Sequence, residues 1–399
     1  MSKRFTINSY NSAGEFVGNI TDSTFDSFRK VINGGLSDLT FQLARKIDDF
    51  NTNGDVSIGN KIEIVIYDED TTESGVTVYS GYVEQQNIRV DGGQESVEIV
   101  CLGVVSKLNQ DVLKSGAQTG LYTKATDGLT TVSADNSAAE IADVMKEIIE
   151  LFNTNNSVFP IYYNLTGVSS IETTGNLMKY KFDALNYLDA IEKCREVSPQ
   201  NWYWYIGADN VLNFKPKAST ADHTFLLTKH IKSINGSKSA DSVKNVLLLY
   251  AEVVAKYKEY KDDASISIYG RRVSQMNDYN IKDETTMDNI AAAFINENKD
   301  PKIRIELEII DNNESTKGYD IESINPGDTC EIVGLTPDEN IFTENMVIQE
   351  VTWRLGVATV IVETEKVFGF DRLLLNVEKK VNELDKTNFV LNALPDSYT

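Results

Sequence analysis

Side chains that alternate apolar and polar, broken at intervals by glycine turns, recur from one end of this chain to the other. That period of two commits most of it to half-buried antiparallel strands. Leu39-Thr40-Phe41-Gln42-Leu43 follows the Gly34-Gly35 turn, and Lys61-Ile62-Glu63-Ile64-Val65-Ile66-Tyr67 puts its aliphatic residues on one face. Val76 to Val83 and Asn87 to Val90 then lead through Asp91-Gly92-Gly93 into Ser96-Val97-Glu98-Ile99-Val100-Cys101-Leu102. Strands joined by such turns form a hairpin meander, so residues 1–112 are expected to make one β-barrel or sandwich domain.

The same arrangement returns near the other end. Ser57-Ile58-Gly59-Asn60-Lys61-Ile62-Glu63-Ile64-Val65 has a counterpart in Ser323-Ile324-Asn325-Pro326-Gly327-Asp328-Thr329-Cys330-Glu331-Ile332-Val333. Each is a glycine turn before an alternating strand, and each is followed by two more strands, here Asn345–Trp353 and Val357–Glu363. A repeat inside one chain implies two similar β units, although strand chemistry converging on one pattern is the competing account. Residues 231–369 are expected to form the second unit, with a short helix around Met287–Asn296 and a clean strand at Ile303–Ile309.

Between the units, 113–230 reads as an α+β insert. Ser115–Ser137 is rich in Gly, Ser, Thr and Asp, which predicts a long loop or arm. A helix is predicted from Ser137 through Phe152, with Glu140 completing a capping box, and a second from about Ala184 to Val197. Trp202-Tyr203-Trp204-Tyr205-Ile206 and Val211-Leu212-Asn213-Phe214 then flank Gly207-Ala208-Asp209-Asn210 as a hairpin. Those rings suit either a packed core or a stacking platform for sugars, and the core is the ordinary use of alternating aromatics in a strand. The segment 370–399 is predicted as an amphipathic helix and tail. Leu374, Val377, Val381, Leu384, Asn388 and Leu391 step by three and four, with the asparagine as one polar position in the stripe, which fits either an oligomer seam or packing on the chain's own domain.

Charge removes several classes of function. With 38 Lys+Arg against 60 Asp+Glu the formal charge is −22, which repels phosphate backbones and anionic lipid. An acidic wall nonetheless suits a channel through which DNA slides without sticking. Cys101, Cys194 and Cys330 are far apart and without neighbouring histidines, so each is expected to fill a core position rather than bind metal or form a disulfide. The start lacks an apolar stretch behind Met1 to Phe5 and no window reaches the ~20 apolar residues of a span. A chain made in the cytoplasm, with no membrane span, is therefore expected. His223 and His230 are the only imidazoles, and no nucleophile motif, HExxH, P-loop or calcium-loop spacing accompanies them. No catalytic residue, cofactor or metal is assigned.

The order of features, though no single motif, resembles phage tail baseplate-hub and tail-tip proteins, among them the amino-terminal part of tail-associated lysins. The resemblance rests on the amino-terminal β unit, the insert, and a helix before Trp202-Tyr203-Trp204-Tyr205. It continues through Lys244-Asn245-Val246, Ser267-Ile268-Tyr269-Gly270-Arg271-Arg272 and Asn325-Pro326-Gly327-Asp328. It implies a mainly β (α+β) chain with two similar β-barrel tube-type domains, helix-containing inserted domains and a C-terminal helix. It also implies a homotrimer whose six β units adapt a sixfold tail ring to a threefold tip around an axial channel. Its expected partners are a distal tail ring or tail tube protein, a tip or fibre protein, the tape-measure protein and DNA in passage, in a virion tail tip or baseplate assembled in the host cytoplasm. Gly270, Pro326 and Gly327 look like fold-determining turn positions. With nothing after residue 399, lytic activity is expected to belong to another polypeptide. A cell-wall hydrolase and a carbohydrate-binding adhesin using Trp202 and Trp204 stand as the alternatives.

Overall fold

The computed structural model describes residues 3–45, 54–68, 75–91, 94–113, 138–164, 169–180, 182, 185–199, 201–227, 229–254, 256–311, 318–334 and 346–363. The predicted loop at 115–137 and the predicted helix carrying Leu374, Val377, Val381, Leu384 and Leu391 lie outside the described residues.

The alternating segments become strands. The first group is β1 (Lys3–Tyr10), β2 (Phe16–Ile20), β3 (Ser23–Val31), β4 (Gly34–Leu43), β5 (Lys61–Asp68), β6 (Val76–Asp91) and β7 (Gln94–Leu102). Next come the two-residue pair β8 (Ala139–Glu140) and β9 (Leu177–Met178), then the aromatic hairpin β10 (Trp202–Ile206) and β11 (Leu212–Pro216). They are followed by β12 (His223–Leu226), β13 (Ile231–Ser239), β14 (Val246–Tyr250), β15 (Lys258–Lys261) and β16 (Val273–Asn277). The last are β17 (Lys302–Ile310), β18 (Thr329–Val333), β19 (Met346–Arg354) and β20 (Val357–Glu363).

One large sheet runs β13-β17-β20-β19-β3-β4-β7-β6-β5-β1-β2, with β12 and β18 attached beside β19 and the aromatic hairpin beside β4. Two stretches of it have the same order. In the first half, neighbours run β3-β4-β7-β6-β5-β1, and in the second β13-β17-β20-β19-β18-β12. Register agrees too. Lys61 faces Tyr82 as Thr329 faces Val347, and Tyr82 faces Leu102 as Val347 faces Glu363. One extra residue bulges immediately after Val83 in β6 and after Ile348 in β19. Leu39 then faces Cys101 as Ile305 faces Val362. The outermost strands differ, since β1 runs antiparallel to β5 whereas β12 runs parallel to β18.

Closed barrels were expected, and among the described residues none is found. The first strand of the first half, β3, gives one edge to β4 and the other to β19 of the second half, so the halves join edge to edge instead of each closing on itself. A single core serves both. Ile7, Phe28, Leu39, Phe41, Ile64 and Ile99 from one half and Phe225, Leu307, Ile348, Trp353 and Val360 from the other belong to one buried cluster.

A second core lies under the insert. Helices Ile141–Asn155, Tyr187–Val197 and Glu284–Asn298 bury Ile148, Phe152, Ile191, Met287 and Ile290 together with Trp202, Trp204 and Phe214 of the hairpin. The last of these helices is flanked by the sheet β15-β14-β16, and Arg195 ties it to the second helix by bonds to Glu192 at 2.8 Å and Glu297 at 3.2 Å. Each helix starts later or earlier than its periodicity suggests because a side chain sets the cap. The first starts at Ile141, not Ser137: Ala139–Glu140 is committed to pairing with Leu177–Met178, and Glu140 itself accepts from the Ala142 N–H at 2.6 Å. Asn186 caps the second through Asp189 N and Asp283 the third through Thr286 N, each at 2.6 Å. Among the described residues no helix is long and apolar enough to cross a membrane.

Candidate functional site

The two halves meet along a seam where β3 pairs with β19. Along it Val31, Lys30, Arg29 and Phe28 face Glu350, Val351, Thr352 and Trp353 in antiparallel register. At one end Phe28 and Trp353, both 1% exposed, stack with ring centroids 5.1 Å apart and planes 17° from parallel. Such a pair adds about 0.5–1.5 kcal/mol to the gain from burial alone. Arg29 donates to Asp38 at 2.9 and 3.1 Å and lies 3.7 Å from Glu350, so one guanidinium bridges carboxylates of the two halves. Beyond the strand, Ile32 N–H donates to the Gln349 carbonyl at 2.9 Å, and Asn33 exchanges bonds with the backbone of Trp204. Three parts of the chain therefore meet at the β3–β4 turn.

Lys30 sits at this junction with Asn325 3.4 Å from its ammonium. Burial pushes its pKa down to about 8, against the pull of Glu322 and Asp328. Because the folded value lies below that of the unfolded chain, the unfolded state holds more protons between about pH 8 and 10.4. Stability should therefore rise with pH across that window and be flat in this term below it. Lys30→Met is expected to reduce that slope by removing a group whose protonation differs between the folded and unfolded chain across the window. Urea denaturation of both proteins at pH 7, 9 and 10 checks this, and identical slopes would contradict it.

Two glycine turns stand at equivalent places, and their geometry is the same. In Ser57-Ile58-Gly59-Asn60 and Asn325-Pro326-Gly327-Asp328 the glycine has φ +88° in both. In both, the fourth residue's N–H returns to the first residue's carbonyl, at 2.9 and 3.3 Å. A β-turn with positive φ at its third position takes glycine there. Gly59 N–H donates to Val83 O, and Val83 N–H to Asn60 O. Likewise Gly327 N–H donates to Ile348 O, and Ile348 N–H to Asp328 O. The second turn is additionally clamped. His223 lies between the Tyr319 hydroxyl at 2.9 Å and Asp328 at 3.1 Å, and Asp328 accepts from the Asn325 N–H at 3.0 Å. The ring of Tyr203 covers Gly327 so closely that a Cβ there would fall 1.8 Å from it. Pro326 helps line a cleft of about 510 Å³ with Lys30, Lys61, Glu63, Tyr205 and Glu322. Gly270 lies elsewhere, ending helix Asp263–Tyr269 at φ +76°, with its carbonyl held by Asn245 at 2.8 Å.

The aromatic hairpin is not a stacking platform. Trp204 is fully buried and Trp202 nearly so, with the Trp204 indole donating to Glu192 at 2.7 Å. Their faces are taken by the insert core, so the adhesin reading loses the residues it was built on. All three cysteines are buried, and desolvation raises each thiol, Cys330 to about 12. That leaves little thiolate for nucleophilic work. Among the described residues no group of three or more His, Cys, Asp and Glu is placed to hold a metal ion. The seam residues Phe28, Arg29, Lys30 and Trp353 are not legible in the sequence because their partners across the seam lie about three hundred positions away. The one available signal was a tryptophan inside an alternating strand.

No protein-family model matches the chain, and no curated protein matches its sequence. Solved structures do match in fold. The 43 kDa tail protein of prophage MuSo2 from Shewanella oneidensis is 10% identical, with 90% of this chain and 98% of that one covered at a TM-score of 0.58. The prophage tail protein gp18 from Listeria monocytogenes EGD-e is 12% identical over 94% and 99%, with a TM-score of 0.56. A tail protein from Neisseria meningitidis MC58 is 9% identical over 90% and 96%, with a TM-score of 0.55. The chain thus has the fold of these tail proteins over nearly its whole length, as the order of sequence features had implied.

Proposed function

We propose that this chain, built on the fold of phage tail proteins, is a structural subunit of a tail tip or baseplate and acts there as a homotrimeric hub rather than as an enzyme. The observation that carries the reading is the match between halves: one strand order, one bulge position and one turn geometry, twice in a single chain. Two copies of one module per chain give six modules in three chains, which is what joining a sixfold tail ring to a threefold tip requires. In this reading β1 and β3–β7 make one module and β12, β13 and β17–β20 the other, and the intervening segments project from the ring toward tip, fibre and neighbouring subunits. The formal charge of −22 fits an axial channel that passes tape measure and DNA without retaining them.

The test is the mass of the purified full chain by light scattering, alone and with its neighbouring tail proteins, followed by imaging of assembled tails. Three times the chain mass and a ring on the tail axis are expected. A chain that stays monomeric with its neighbours present, or lies off the axis, would overturn the proposal. Release of soluble fragments from host peptidoglycan by the purified chain would favour the hydrolase instead.

A further inference from the structure

Among the described residues the halves make one edge-to-edge contact, and the register that matches one half to the other also says where a second such contact is missing. Bulges after Val83 and Ile348 align Gln85, Gln86, Asn87 and Ile88 with Glu350, Val351, Thr352 and Trp353. Phe28 faces Leu39 and Gly236 faces Ile305, and Leu39 and Ile305 hold matching places, so Gly236 and Ser237 of β13 align with Phe28 and Arg29 of β3. Within the chain, β3 covers Glu350–Trp353. Among the described residues no strand pairs with the corresponding edge of β6 at Gln85–Ile88, and β13 pairs with β17 alone.

We infer that the Gln85–Ile88 edge of β6 takes β13 of a second copy of this chain as an added antiparallel strand, with Ile88 opposite Gly236 and Asn87 opposite Ser237. The inference rests on the homotrimeric reading above and names the surfaces that would close it. Unpaired strand edges bind other strands through their backbone groups unless something blocks them, and neither edge carries a proline. Exposure points the same way. Trp353 is 1% exposed where β3 covers it, whereas Ile88, in the matching place, is 51% exposed. Ile88 would meet a glycine, which leaves room for its side chain, as Phe28 and Trp353 fill the same place with two stacked rings. The surfaces are different patches, so the contact is head-to-tail, and it closes into a ring only if the rotation between halves allows. Three chains would then alternate three internal seams with three external ones.

The test places one cysteine on each edge of the full chain, Asn87→Cys with Ser237→Cys, because directly opposed residues on antiparallel strands lie within disulfide reach. After mild oxidation, non-reducing gels should show covalently linked trimers, with dimers as intermediates, and neither single variant should form them. Ile88→Lys in the otherwise natural chain should weaken assembly at least tenfold while leaving the thermal midpoint of the monomer unchanged. Ile268→Lys, at an exposed position of helix Asp263–Tyr269, should leave assembly intact. A trimer that forms but does not link, or that tolerates Ile88→Lys, overturns the edge pairing and leaves the trimeric reading standing. A disulfide within one chain also overturns it. Linked ladders longer than three support the edge contact and overturn threefold closure, and a chain that neither links nor associates overturns both.

Discussion

Gly327→Ala should destabilise the chain by about 2–5 kcal/mol, while the same change at Gly59 should cost only about 1–2 kcal/mol. Both glycines have φ +88°, so both substitutions meet the same backbone penalty, roughly 1–2 kcal/mol for an L residue in the left-handed region. Only the surroundings differ. Nothing lies within 4 Å of a Cβ built on Gly59, whereas one on Gly327 would enter the Tyr203 ring at 1.8 Å. Tyr203 is itself buried and cannot swing aside, so the chain must shift backbone or ring, at an overpacking cost of about 1–3 kcal/mol. Urea denaturation of the two variants side by side measures the difference. Equal losses would mean that the Tyr203 contact over the turn contributes nothing.

Trp353→Ala is expected to cost about 3–5 kcal/mol, the range for truncating a large aromatic in a packed core. Its effect should be coupled to that of Phe28, which stacks on it across the seam. Each partner lies in a different half of the sheet, so a double-mutant cycle with Phe28→Leu and Trp353→Leu reads the contact between halves rather than the stability of either alone. A coupling energy of about 0.5–1.5 kcal/mol is expected. Two independent losses that simply add would show that the rings are neighbours without an energetic bond between them.

The two kinds of information divided along a physical line. Period-two alternation and turn glycines are local, and they gave the strands at Lys61–Asp68, Gln94–Leu102 and Lys302–Ile310 nearly to the residue. The hairpin at Trp202–Pro216 was equally visible, because a turn and its two strands lie within fifteen positions. Helix starts were misread where a long-range partner set them. Glu140 looked like the third residue of a capping box and is instead the cap, since Ala139–Glu140 is held by Leu177–Met178.

What the chain's order of residues determined by itself was the material of the fold: alternating strands, the two glycine turns, the helices of the insert, and a formal charge of −22. Tertiary structure alone decided that β3 bonds to β19, that the halves share one core instead of closing separately, and that Phe28 finds Trp353. An alternating strand offers two edges of identical backbone groups, and its side chains say which face is buried but not which neighbour each edge will take. That choice depends on where the rest of the chain places its own edges.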